Sequence, residues 1–116
     1  MPRYLALIYT NEDPNVDANS PEMREMHAAY GKYTEDVLKA GVMKGGNALL
    51  PSSMASTVRV RDGKTLTTDG PFIETKEQLG GYYEFECQNL DQAITWAAKI
   101  PGAARGSIEV RPIAEM

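Results

Sequence analysis

The sequence predicts an α+β domain in which two helices cover one face of a β-sheet. Three observations predict this class. The composition is that of an ordinary globular protein, with 42% hydrophobic and 24% charged residues. Two segments have apolar residues at helical spacing, and several short apolar runs lie between turn residues. A chain of 116 residues has the length of one domain, so we expect a single domain over residues 1–116.

The first part of the chain predicts a strand followed by a long helix. Residues 4–9 are apolar on both alternating faces, which is typical of a central strand covered on both sides. Ser20-Pro21-Glu22 predicts a helix start, because a capping serine precedes proline and an acid lies in the first turn. Apolar residues recur at helical spacing as far as Ala40, with Tyr30 and Tyr33 expected to face the core, and Gly41 predicts the helix end.

The middle of the chain predicts two further strand regions. Residues 42–49 read as a strand that glycines interrupt. Residues 55–61 and 64–68 flank Asp62-Gly63, a dipeptide typical of hairpin turns. We therefore expect a hairpin inserted after the second strand.

The last part predicts a short turn, a strand, a helix and a final strand. We expect residues 74–78 to form about one helical turn before Gly80-Gly81 and a strand over 82–87. Asn89 then caps a helix over 90–100. Residues 107–113 form the last strand. The order of elements is the split βαβ pattern of ferredoxin-like domains with an extra hairpin.

The same order predicts a homodimer. Two helices cover only one face of such a sheet, and the other face carries apolar residues beside charged ones. Packing two such faces together buries the apolar part and leaves a mixed cavity near the rim. The alternative is a monomer whose sheet face is exposed to solvent, because charged side chains on it can remain hydrated, namely Glu84, Glu86, Arg59 and Arg61.

Composition argues against several classes of partner. The net charge is −4 and the basic residues are scattered, whereas nucleic-acid binding requires a basic stripe. No apolar stretch reaches the roughly 20 residues that span a bilayer. Cys87 is the one cysteine, which indicates a reducing cytoplasm and no internal disulfide. With one cysteine, one histidine and no phosphate loop or dinucleotide fingerprint, we expect no metal and no cofactor.

Residues 68–78, Thr-Asp-Gly-Pro-Phe-Ile-Glu-Thr-Lys-Glu-Gln, carry a specific motif, and residues 80–83 and 109–112 agree with it. The chain resembles the DGPF branch of the YCII-related family over nearly its whole length. The resemblance implies a dimeric α/β-barrel arrangement of ferredoxin-like subunits, with a cleft near the dimer interface.

The resemblance also implies candidate functions. Most members of the family have no established function. Some lie beside genes for extracytoplasmic-function sigma factors, and some YCII relatives are linked to small-molecule lyase or dehydrochlorinase chemistry. A histidine and an aspartate are proposed as the reactive pair in the wider family. His27 and Asp69 are the residues of that type here.

The motif has a physical reading as a rigid corner. Gly70 tolerates unusual backbone angles, and Pro71 fixes its own φ. We expect Phe72 to hold the corner against the core and to border the ligand. Asp69 is either a general base or a carboxylate that caps the turn.

Other polar residues have two readings each. Glu74 and Lys76 either bind a polar ligand or belong to a solvated turn. Tyr82 lies on the sheet face away from the helices and is expected to border the cleft. Arg111 lies on the same face, where it pairs either with an anionic ligand or with Glu84.

Two functions therefore compete. The first is a cofactor-free enzyme of lyase, isomerase or hydrolase type that uses acid–base chemistry on a small polar molecule. It predicts one cavity lined by His27, Asp69, Glu74 and Arg111, with histidine as the natural proton shuttle. The second is a non-catalytic module that binds a metabolite or a regulatory protein. It predicts a cavity without converging titratable groups.

Overall fold

The computed structural model describes residues 1–12 and 19–115. The strands are β1 (Arg3–Asn11), β2 (Met43–Ala48), β3 (Ser56–Arg61), β4 (Lys64–Asp69), β5 (Glu77–Glu86) and β6 (Ser107–Pro112). The helices are α1 (Pro21–Lys39) and α2 (Leu90–Ala98), and short 3-10 turns lie at Ser52–Met54 and Pro101–Ala104.

Four strands form one antiparallel sheet in the order β2-β5-β1-β6. The hairpin strands β3 and β4 form a separate two-stranded sheet. The α+β class is confirmed, and this strand order fits the predicted ferredoxin-like arrangement with an inserted hairpin.

Local signals account for the limits of the first helix. The Ser20 side chain accepts the Met23 N–H at 3.2 Å, and Pro21 occupies the first turn. After Lys39 the chain leaves the helix through Gly41, which has a φ of 73°. The predicted helix start and the role of Gly41 are both confirmed.

The core lies between the helices and one face of the sheet. It contains Tyr4, Ala6, Ile8, Tyr33, Val37, Val42, Tyr83, Phe85, Cys87, Ala93, Ala97 and Ile100. Aromatic rings form its centre: Tyr33 meets Tyr83 edge-on at 5.2 Å, and Tyr83 stacks on Phe85 at 6.1 Å. The Tyr33 hydroxyl donates to the Trp96 carbonyl at 2.9 Å, so its polar atom is satisfied.

The opposite face of the sheet carries no helix in the described residues. Leu5 and Leu7 of β1 lie on this open face beside Tyr82 and Glu84 of β5, and all four are half-buried. Strand β1 is therefore apolar on both faces, as residues 4–9 predicted.

One predicted element is wrong. Residues 74–78 form no helical turn, because Glu77 and Gln78 already belong to β5 and pair with Asn11 and Thr10. The loop before them is held by side-chain bonds to the backbone: the Gln78 amide donates to the Thr75 carbonyl at 3.0 Å, and the Thr75 hydroxyl donates to the Glu77 carbonyl. Such bonds compete with helix formation.

The second helix begins where the sequence predicted. The Asn89 side chain accepts the Gln92 N–H at 2.9 Å. The helix ends at Ala98, two residues before the predicted end, and Pro101–Ala104 continues as a 3-10 turn. Ile100 is fully buried between the two segments.

Candidate functional site

Two cavities lie at the end of the sheet where β1 ends and β5 begins. The first, of about 710 Å³, lies between α1 and the sheet, and we call it the helix cavity. The second, of about 550 Å³, borders the corner that follows β4, and we call it the corner cleft. Thr10 and Gly80 line the helix cavity, while the neighbouring residues Asn11 and Gln78 line the corner cleft.

One face of α1 forms a wall of the helix cavity. Met23, Met26, His27 and Tyr30 line it, and their spacing of three or four residues places them on the same side of the helix. Methionine makes this wall apolar and adaptable. His27 is exposed, and among the described residues its side chain has no hydrogen-bond or ion-pair partner.

Tyr30 brings a phenol hydroxyl to the helix cavity. Its oxygen accepts the Gly102 N–H at 3.1 Å, so its proton is free to point at a ligand. Burial raises the pKa of Tyr30, which keeps the phenol protonated at neutral pH. A Cβ on Gly102 would lie 2.6 Å from this hydroxyl, so the close approach requires glycine there.

Two further tyrosines of β5 line the same cavity. The Tyr82 side chain lies on the open face of the sheet, away from α1, and its hydroxyl accepts from the Asn47 side-chain amide at 2.9 Å. The Tyr83 hydroxyl shares a 2.9 Å hydrogen bond with Thr34 of α1. The helix cavity therefore combines apolar walls with hydroxyl groups that can donate to an oxygen atom of a ligand.

The corner cleft is polar. Asp69, Glu74 and Lys76 line it, and none of their side chains has a hydrogen bond or ion pair within the described part of the chain. Glu12 also lines it, but both of its carboxylate oxygens already accept from Ser52, at 2.9 and 2.7 Å. The groups free to meet a ligand are two carboxylates and one ammonium.

Backbone contacts hold the corner at the base of the hairpin. Gly70 has a φ of 99°, which favours glycine. Its N–H donates to the Ala55 carbonyl at 2.6 Å, and its carbonyl accepts from the Thr57 hydroxyl at 2.9 Å. These bonds tie the end of β4 to the start of β3.

The structure separates the residues that the sequence proposed for one site. His27 and Tyr82 line the helix cavity, whereas Asp69, Glu74 and Lys76 line the corner cleft. Phe72 and Arg111 line neither cavity.

Two predicted contacts are wrong. Phe72 does not hold the corner against the core, because it is 73% exposed. Arg111 does not pair with Glu84. Its guanidinium donates to Glu109, two residues away on the same face of β6, and the Glu84 carboxylate instead accepts from Arg3 at 3.4 Å.

Sequence reasoning assigned Tyr30 to the core and gave no role to Thr34 or Asn47, although all three line the helix cavity. One signal was available for Tyr30, because it lies three residues after His27 and so shares its helix face. No local signal placed Asn47 beside Tyr82, because their contact depends on the pairing of β2 with β5.

Cys87 is a buried, free thiol. Burial raises its pKa, which disfavours the reactive thiolate, and its sulfur donates to the Asn89 carbonyl at 3.6 Å. Within residues 1–12 and 19–115, no group of three or more His, Cys, Asp or Glu side chains is arranged to hold a metal ion. Among the described helices, none is both long and apolar enough to cross a membrane.

Comparisons with known proteins agree with the resemblance at the level of the family. The model of the YCII-related domain matches residues 3–116. An uncharacterised protein of Rhizobium meliloti (strain 1021) is 38% identical over an aligned region of 117 positions. The alignment covers 96% of this chain and 91% of the relative. The chain therefore belongs to the YCII-related family.

Proposed function

We propose that this protein, which we place in the DGPF branch of its family, is a cofactor-free acid–base enzyme of lyase, isomerase or hydrolase type. The helix cavity is its active site, and His27 is the group that transfers a proton. The observation that carries the proposal is the position of His27 in a cavity that is also lined by Tyr30, Tyr83 and Thr34. Histidine is the side-chain type best suited to proton transfer near neutral pH.

The lining of the helix cavity narrows the class of substrate. Its volume of about 710 Å³ is within the range of sites for small molecules. Met23, Met26 and Ile8 favour a compact apolar body. The Tyr30 hydroxyl, whose oxygen already accepts from Gly102, favours a carbonyl or carboxyl oxygen on that body. The substrate class is a small carbonyl or carboxylic compound.

Asp69 takes a different role in this proposal. Because it lines the corner cleft with Glu74 and Lys76, we assign these three residues to a charged part of a ligand. The joint action of His27 and Asp69 on one molecule stays a prediction. It requires either a ligand long enough to reach both cavities or a second subunit that brings one residue to the other.

A homodimer through the open face of the sheet is part of the proposal, as is a cytoplasmic location. The half-buried Leu5 and Leu7 support the dimer, because they lie side by side with charged groups on a face without helices among the described residues. Arg111 and Tyr82 also lie on this face, so a partner subunit would enclose them. Sedimentation equilibrium at micromolar concentration tests the dimer directly.

Two observations favour a second candidate, a non-catalytic module that binds a metabolite or a regulatory protein, associated with an extracytoplasmic-function sigma factor. His27, Asp69, Glu74 and Arg111 do not converge on one cavity, which is what such a module predicts. No described side chain hydrogen-bonds to His27, so nothing in this part of the chain fixes its ring in the orientation that a general base needs. A module requires only the cavity and its hydroxyl donors.

Proton exchange separates the two candidates. We would incubate the protein with simple ketones and 2-oxo acids in D₂O and follow deuterium incorporation beside the carbonyl by NMR. The enzyme predicts exchange in the wild type and its loss in His27→Gln, with the Arg24→Gln variant on the same helix unchanged. Binding of a probe without exchange, equal in both variants, supports the module and contradicts the enzyme.

A further inference from the structure

The β3–β4 hairpin is the least buried part of the described fold. Every residue of β4 is exposed, and only Thr57 of β3 is half-buried. The two strands pair with each other and with no strand of the larger sheet. A two-stranded hairpin that stands alone is only marginally stable in water. Within residues 1–12 and 19–115, this hairpin therefore has no second surface that would stabilise it.

One face of the hairpin carries two exposed valines beside threonines. Val58 and Val60 lie on the same side of β3, opposite Thr67 and Thr65 of β4. Each valine is 60% exposed, although β-branched side chains favour a pleated surface that is at least half-buried. The face is suited to packing against another protein surface.

The hairpin also differs in charge from the rest of the chain. Residues 56–69 contain three basic and two acidic side chains, a net charge of +1, whereas the whole chain has −4 and the remainder therefore −5. The basic side chains are those of Arg59, Arg61 and Lys64, which lie on the face of the hairpin opposite Val58 and Val60. They therefore act on a partner through long-range charge and not through contacts of the valine face. On the open face of the larger sheet, Glu84 and Glu109 are paired with Arg3 and Arg111, whereas Glu86 has no ion-pair partner among the described residues. A basic hairpin is attracted to the acidic body of a second copy of the same chain.

The size of the subunit is also consistent with a second copy. Its radius of gyration is 16.1 Å, whereas a compact chain of this length has about 13 Å. Its accessible surface is 8168 Å², roughly 1,900 Å² more than a compact monomer of this mass exposes. A stable interface requires about 800 Å² from each partner, so the excess area is ample for one.

We propose that the β3–β4 hairpin is an intersubunit arm whose Val58–Val60 face packs on a second copy of this chain. The inference rests on the homodimer of the proposed function and adds a second contact to it. Asp69 is the last residue of β4, and Thr57 bonds to Gly70 at the base of the arm. The seating of the arm on its partner therefore sets the position of the corner cleft.

An isosteric double substitution tests the apolar contact. Val58→Thr with Val60→Thr keeps the β-branched shape of the hairpin and replaces two methyl groups with hydroxyls. We expect the dimer dissociation constant, measured by sedimentation equilibrium, to rise about tenfold. Ile94→Thr is the matched control, because Ile94 is exposed on α2, and it should change the constant by less than about twofold.

A charge reversal tests the electrostatic attraction. Arg59→Glu with Arg61→Glu changes the face away from the valines and should weaken the dimer through long-range charge, by about threefold at low salt and less at high salt. Arg24→Glu with Arg105→Glu makes the same change in net charge at exposed positions outside the hairpin and should weaken the dimer far less. Equal weakening by both pairs would overturn the specific role of the hairpin.

Cross-linking identifies the surface on which the hairpin packs. Cys87 is buried, so Val60→Cys creates the accessible thiol for a benzophenone label. Photolysis of mixed ¹⁴N and ¹⁵N protein should give peptides that join two subunits. Links within one subunit only, or an unchanged dimer in the valine variant, would overturn the arm and leave the dimer standing. A wild-type monomer at micromolar concentration would overturn both.

Discussion

Replacement of Gly106 by alanine should strongly destabilise the fold. Gly106 lies just before β6, against the central strand β1. A Cβ at this position would overlap the carbonyl oxygen of Tyr9 and lie 3.1 Å from the Cα of Thr10. Both are backbone atoms of a strand that is paired on both sides, so no side-chain rotation relieves the overlap.

The size of the expected loss of stability follows from the kind of atom that the new Cβ would contact. Overpacking costs about 1–3 kcal/mol, and a clash with paired backbone belongs at the upper end. A loss of about 3 kcal/mol is a large part of the roughly 5–15 kcal/mol that stabilise a domain. With a slope of about 2 kcal/mol/M, the midpoint of urea unfolding falls by about 1.5 M.

The assay is urea unfolding followed by tryptophan fluorescence, with Gly31→Ala as control. Gly31 lies inside α1, and a Cβ there meets no atom within 4 Å. That variant should gain about 0.5–1 kcal/mol, because alanine favours the helix. A Gly106→Ala variant that unfolds within about 0.5 kcal/mol of the wild type would refute the close packing of β6 against β1.

Three further predictions concern the core. Tyr33→Phe removes the donor to the Trp96 carbonyl and should cost about 1 kcal/mol at neutral pH. Burial raises the pKa of Tyr33 in the folded state. The free energy of unfolding of the wild type should therefore be constant below about pH 10, where the unfolded phenol begins to ionise, and should fall above it. Urea titrations at pH 8 and 11 should show a smaller fall in the free energy of unfolding for Tyr33→Phe. Phe85→Ala should lose about 3–5 kcal/mol in thermal unfolding, whereas Phe72→Ala should stay within about 0.5 kcal/mol, because Phe85 is fully buried and Phe72 is 73% exposed. The Cys87 thiol should react with a disulfide reagent at least about tenfold faster in urea than in the folded protein, and equal rates would contradict its burial.

Most of the fold could be predicted because its signals are local. Ser20 and Asn89 cap the two helices through bonds that span three residues, and sequence windows of that size contain the information. The predicted helical turn at residues 74–78 is wrong because the signal that decides their conformation is not local. Their state depends on pairing with β1, more than sixty residues away in the chain, and long-range pairing overrides local helix preference.

The sequence predicts single walls of the candidate site, but it does not predict how those walls are combined. The face of α1 that carries His27 follows from helical spacing, and so does its neighbour Tyr30. The separation of His27 from Asp69 depends on how the chain passes from β1 to the corner, which no short motif encodes. The Tyr82–Asn47 contact is of the same kind.

The register shift opposite Ile8 and Tyr9 has a consequence for the whole corner. Gly81 pairs with Ile8 and Leu79 pairs with Tyr9, so Gly80 is an extra residue in β5. In a regular strand, residues separated by an odd number of positions lie on opposite faces. Because of the extra residue, Leu79 and Tyr82 both lie on the face away from the helices, although they are three positions apart. Removal of this single glycine would restore strict alternation. Glu77, Gln78 and Leu79 would keep the sides of the sheet that they now occupy, because Leu79 would then directly follow Gly81 in the alternation. What the chain would lose is the local kink and the stronger twist that the extra residue gives β5 beside the corner cleft.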